Sequence, residues 1–142
     1  MKKLSSVAAF ALVLMAALTI SSCVTTTTIE KQFAKKGYTM GSYGWNEMCG
    51  VCPFLSQFPA NDATAMGYIA ANEVYTFAYQ CDAATMDNYA AKLTAAGYKA
   101  VAQGVYAKAT ADKKSQYKVK ITSSTINKKS YYFVGYSMPA LN

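Results

Sequence analysis

In the last third of the chain, apolar and polar residues alternate with a period of two. Tyr117, Val119 and Ile121 interleave with Lys118, Lys120 and Thr122, and Tyr132, Val134 and Tyr136 share one face of the stretch 131–138. Asn127-Lys128-Lys129-Ser130 parts the two runs and leaves room only for a reversal. A period of two sends alternate side chains to opposite faces of a strand, and strands joined by tight turns are antiparallel neighbours. Such a sheet needs something to cover its apolar face.

The cover is legible just upstream. Over 82–96, Met86, Tyr89, Ala90, Leu93 and Ala96 recur at three- and four-residue spacing, the stripe of an amphipathic helix. Asp82 or Thr85 can cap its amino end, and Gly97 supplies the left-handed stop. Residues 68–81 read as strand, with Tyr75, Phe77 and Tyr79 on one face, and Asn72-Glu73 can divide it into a hairpin. Residues 101–109 form a further strand, and Asp112-Lys113-Lys114-Ser115 turns the chain into the next. The expected fold is α+β, β-α-β-β-β, with one helix packed on an antiparallel sheet of four or so strands.

Residues 37–67 hold Gly37, Gly41, Gly44, Gly50, Pro53, Pro59 and Asn61-Asp62, the punctuation of loops. They also hold Trp45, Phe54, Leu55 and Phe58, too apolar to stay in water. An irregular segment is expected, with one helical turn after Pro53 and its aromatics laid over the core. Residues 23–36 open on a Thr25–Thr28 run and read as a polar tether. A single domain over 37–142, with its core in 68–138, follows.

Composition narrows the chemistry. The formal charge is +7 and every basic residue is lysine. Bidentate contacts to guanine and phosphate favour arginine, so nucleic acid is not an expected partner. The chain has no histidine, which excludes a Ser-His-Asp triad, a Cys-His dyad and a histidine zinc site. No pair of carboxylates is placed for glycoside hydrolysis. No catalytic set, cofactor or metal site is expected.

The amino terminus supplies an address. Lys2 and Lys3 precede an uncharged apolar stretch over 7–20, too short for the roughly 20 residues that span a bilayer but suited to a secretory signal. It ends in Ile20-Ser21-Ser22-Cys23, which resembles the lipobox of bacterial lipoproteins. The resemblance implies cleavage between Ser22 and Cys23, a diacylglycerol thioether on Cys23 and acylation of the new amine. Residues 1–22 are then a signal peptide. Of 142 residues, 120 remain, and loss of Lys2 and Lys3 leaves +5. Val24 stands where Asp in this family retains a protein in the inner membrane, so the outer membrane is favoured in a cell that has one. Trp45, Phe58-Pro59, the helix ending Lys92-Leu93-Thr94-Ala95-Ala96-Gly97-Tyr98 and the Tyr117-Lys118-Val119-Lys120 strand resemble small lipid-anchored envelope domains of uncharacterised function. That resemblance carries no catalytic residue.

Two groups of residues are candidates for a site. Cys49-Gly50-Val51-Cys52 is a C-x-x-C, with Cys81 the other thiol of the domain. In an oxidising compartment a disulfide from Cys81 to Cys49 or Cys52 would staple the irregular segment, by about 3–4 kcal/mol on the loop-entropy account. The Trp45-x-x-x-Cys49-Gly-x-Cys52-Pro53 run also resembles the thioredoxin active site, but there Trp directly precedes the first cysteine and the motif opens a long helix. Soft-metal binding with Met48 is the third reading. The second group is Lys118, Lys120, Tyr131, Tyr132 and Tyr136, expected to line one sheet face that meets another envelope protein or an anionic cell-wall polymer. The chain is expected to be a non-enzymatic, lipid-anchored binding domain, with thiol redox or soft-metal handling by Cys49 and Cys52 as the alternative.

Overall fold

A computed structural model describes residues 26–141. The expected signal peptide, the Ser22–Cys23 cleavage and the Cys23 anchor lie outside the described residues. In chain order the elements are α1 (Thr26–Lys35), β1 (Thr39–Tyr43), α2 (Trp45–Val51), a 3-10 turn (Leu55–Gln57), β2 (Ala65–Ala71) and β3 (Val74–Gln80). There follow α3 (Ala83–Ala95), β4 (Lys99–Ala102), β5 (Val105–Ala109), β6 (Gln116–Ile126) and β7 (Lys129–Ser137). No helix among the described residues is long and apolar enough to cross a membrane.

All seven strands belong to one antiparallel sheet in the order β1-β2-β3-β7-β6-β5-β4. Two meanders, β1-β2-β3 and β4-β5-β6-β7, are joined by α3 and sewn together where β3 pairs with β7. The last strand of the chain is thus the central strand of the sheet. The α+β class and the antiparallel pairing agree with expectation, but among the described residues seven strands replace four or so, and three helices replace one.

The expected reversals are where the strands turn. Asn72 and Glu73 adopt φ of 54° and 63°, and Asn127 and Lys128 adopt 52° and 64°, the left-handed pair that a two-residue hairpin requires. The stretch 101–109 is two strands, because Gln103-Gly104 reverses the chain between β4 and β5. Gly104 has φ +71°, and a Cβ there would lie 2.5 Å from the Ile121 carbonyl oxygen. Helix α3 starts as expected: the Asp82 carboxylate accepts the Thr85 N–H at 2.9 Å and the Thr85 hydroxyl at 2.7 Å. It ends at Gly97, φ +97°. Met86, Tyr89 and Leu93 are its buried stripe.

Two faces of the sheet are covered. On the first, α2, the 3-10 turn and α3 pack over Phe77, Tyr79, Val119, Val134 and Tyr136. Phe58 is the hub, its ring 5.2 Å from that of Tyr136, 5.3 Å from Tyr117 and 6.3 Å from Tyr98. The segment 37–67 does lay its aromatics over the core, but it is less irregular than expected, since it contains β1 and α2.

The second face carries a correction. Residues 26–35, read as part of a tether, form α1, and Ile29 and Phe33 are 2% and 0% exposed. Spaced four apart, they share one helix face and pack against Ala78, Ile126, Tyr131 and Phe133. The Phe33 ring lies edge-on to Tyr131 at 6.0 Å and to Phe133 at 5.9 Å. Two apolar side chains at helical spacing outweigh the weak helix propensity of the threonines.

Candidate functional site

The three thiols of the domain lie at or beside the first core and are free. Cys49 sits in the last turns of α2, partly buried. Cys52 caps that helix, its N–H donating to the Met48 carbonyl at 2.9 Å, and is fully buried. Cys81 follows β3, where its N–H donates to the Ser130 carbonyl at 3.3 Å. Burial pushes the Cys52 thiol up to about 11, with the backbone amides of Phe54 and Leu55 opposing and Cys49 adding to the rise. Burial also raises Cys49, and burial together with Asp82 raises Cys81. A reactive thiol needs the reverse, a helix amino terminus or a cation that stabilises the thiolate; the C-x-x-C here closes a seven-residue helix instead. Among the described residues, no three Cys, Asp or Glu side chains converge to hold a metal ion.

Beside the thiols lies a polar cluster that the sequence did not announce. The Tyr136 hydroxyl donates to Tyr89 at 3.0 Å, the Tyr89 hydroxyl to the Pro59 carbonyl at 2.8 Å, and the Tyr79 hydroxyl to the Met48 sulfur at 3.3 Å. Tyr79 and Tyr136 are fully buried. Burial holds all three phenols well above their ordinary range, and for Tyr79 the neighbouring phenol and thiol add to the effect. Asn61, 3% exposed, accepts the Ala63 N–H at 3.0 Å, which fixes the loop that Tyr89 holds from below. These phenols are hydrogen-bonded core, protonated across the physiological range. An open groove of about 420 Å³ runs outside them between residues 60–63 and α3, lined by Asp62, Thr85, Asn88 and Lys92 among others. Lys92 spans it, donating to the Ala60 carbonyl at 2.7 Å.

The expected lysine–tyrosine face does not form as one surface. Register places Lys118 opposite Ser137 and Lys120 opposite Gly135, which puts both lysines on the α1 side of the sheet together with Tyr131. Tyr132 and Tyr136 pair with Ser123 and Val119 and so point to the other side. Tyr131 and Tyr136 are moreover fully buried, one under α1 and one under α2. Adjacent residues of a strand cannot share a face, so Tyr131 and Tyr132 cannot make one platform. Only Lys118, Lys120 and Tyr132 retain exposure.

Compared with known protein families, with curated protein sequences and with solved structures, the chain matches none.

Proposed function

We propose that this chain is an exported bacterial lipoprotein, held by lipid on Cys23, whose single α+β domain works by binding at the cell envelope rather than by catalysis. The observation that carries the reading is the Ile20-Ser21-Ser22-Cys23 run closing an apolar stretch with lysines before it. Two features of the domain support the non-catalytic half. Its buried ionisable groups are phenols and thiols held in their neutral forms, and the chain has no histidine to act as a base near neutral pH. The outer membrane is the favoured address, and another envelope component the favoured partner class. The alternative, thiol redox or soft-metal handling by Cys49 and Cys52, gains nothing from a C-x-x-C whose second cysteine is buried and whose thiols are raised.

The test is mass spectrometry of the amino-terminal peptide from protein made in a bacterial host with the full chain. Expected is a peptide beginning at Cys23 and carrying a diacylglyceryl thioether. A mature chain that begins elsewhere, or an unmodified Cys23 on protein recovered outside the membrane fraction, overturns the reading.

A further inference from the structure

The domain is electrically divided by its own sheet. On the side that bears α1, the helix contributes Lys31 and Lys35, and Lys36 follows it. The same sheet face contributes Lys99 and Lys118, which flank Ala107 in one cross-strand row, and Lys120 in the next. Lys129 shares that face opposite Ile126, and Lys128 forms the adjoining turn. Among the described residues, the one acidic residue on this side is Glu30.

The other side reverses the balance. Glu47 on α2, Asp62 in the loop, and Asp82 and Asp87 at the start of α3 face only two lysines there. These are Lys92, tied to Ala60 and Asp62, and Lys108, whose ammonium donates to the Ala96 carbonyl at 2.8 Å. Glu73, Asp112, Lys113 and Lys114 sit in turns at the end of the sheet away from the β6–β7 turn, and their charges cancel. The +5 of the mature side chains is therefore an excess on one face, opposed by a weakly acidic one.

The positive side is also the side on which the chain enters. Ile29, near the start of α1, belongs to the same buried cluster as Ile126 and Tyr131, and the Glu30 charge adds to the rise that burial gives the Tyr131 phenol, which places the first turns of α1 toward the β6–β7 turn. Only Val24 and Thr25 separate Cys23 from Thr26, and three residue steps span at most about 11 Å when fully extended. A free tether ending at residue 36 would have reached about 45 Å; the helix removes that freedom.

We infer that the α1-bearing, lysine-rich side of the domain docks on the membrane that holds its own anchor, with its ammonium groups on anionic lipid head groups. This rests on the lipoprotein reading above, which supplies the anchor. The short link keeps that side within reach of the bilayer, where lysines act over about a Debye length, near 8 Å at physiological salt. Lys118 and Lys120 are half-buried on that face, and a lysine can cover apolar surface with its stem while its head reaches outward; the acidic side with the α3 groove is left facing away from the lipid.

The test is lysine labelling of the mature, lipidated protein purified from its host membrane, with no variant needed. The protein is reconstituted in vesicles of phosphatidylcholine alone, or of phosphatidylcholine with phosphatidylglycerol, and acylated with a membrane-impermeant ester. Site occupancies are read by mass spectrometry for chains on the outer leaflet. Expected in the phosphatidylglycerol vesicles is a roughly five-fold slowing at Lys31, Lys99, Lys118, Lys120, Lys128 and Lys129, the factor that matches about 1 kcal/mol per lysine near an anionic surface. Lys92, Lys113 and Lys114 should label equally in both preparations, and added salt should abolish the difference. Uniform labelling, or equal slowing in both vesicles, overturns the docking while a lipid on Cys23 in the same spectra leaves the lipoprotein reading standing. A Cys23 without lipid removes the anchor and overturns both.

Discussion

Replacing Phe33 by alanine tests whether α1 belongs to the fold. Phe33 is fully buried, edge-on to Tyr131 and Phe133 and 5.4 Å from the Tyr38 ring. Truncating a buried phenylalanine costs about 3–5 kcal/mol, and each edge-on ring pair lost is worth roughly 0.5–1.5 kcal/mol beyond its area. The helix can compensate in part by lifting away from the sheet, which places the expected loss near 3 kcal/mol. Against a total of about 5–15 kcal/mol for a domain, this is a large fraction. The assay is urea unfolding of the mature chain carrying Cys23→Ser, followed by near-ultraviolet circular dichroism. With a slope of about 1–3 kcal/mol per molar urea, the midpoint should fall by about one to three molar. Ala34, exposed on the same helix, provides the control: Ala34→Ser should move the midpoint little, in keeping with the roughly 0.5 kcal/mol of ordinary surface changes. A Phe33→Ala midpoint within that surface range would refute the packing of α1 and restore the reading of 23–36 as a tether.

Gly104→Ala should destabilise by more than about 1 kcal/mol, because the residue has positive φ and its new methyl would meet the Ile121 carbonyl; equilibrium unfolding reads this, and a neutral result would place the β4–β5 turn elsewhere. In alkali, Tyr38, Tyr79, Tyr89, Tyr98 and Tyr136 have folded pKa values raised by burial above the unfolded value near 10. Their contribution to stability is therefore complete below pH ~10 and is lost as pH rises through the folded values, so phenolate absorbance should show these rings ionising together with unfolding. With native protein under reducing conditions, iodoacetamide should modify Cys49 and Cys81 before Cys52, which is fully buried and raised to about 11; Cys52 reacting first would reopen the redox reading.

Much of the sheet was legible because its signals are local. Asp82 and Gly97 mark the ends of α3, and paired turn residues mark two hairpins, each a contact between near neighbours. The missing elements are those whose signals are weak or shared. β1 is an edge strand containing Gly41 and Ser42, mostly exposed, and has no alternation to read. α2 is seven residues long and contains Gly50, so its period has no room to repeat. Ile29 and Phe33 did carry a helical spacing, yet whether two residues suffice depends on a sheet face built from residues 100 positions later, which no local pattern records. The site residues were least legible. Tyr131, Tyr132 and Tyr136 are tyrosines in one strand, and period two alone separates the first from the other two. The buried Tyr79–Met48 bond and the part-buried Tyr89–Pro59 bond join segments about 30 residues apart. The thiols, named by their spacing, are defined by a burial that spacing does not encode.

The central position of β7 has a consequence for how such a chain is made. On the lipoprotein reading proposed above, the chain crosses a membrane amino terminus first, and its sheet closes only on the far side. The amino-terminal meander emerges early but exposes the edge of β3, and β6 waits in the same way, until Lys129–Ser137 arrives to pair with both. Pairings between distant segments form slowly because the loop must close before contacts reward it. The order of strands thus works as a built-in delay: the core closes only when β7 has been delivered, and a chain stalled or cut before it is left with two open strand edges, templates for pairing with another chain.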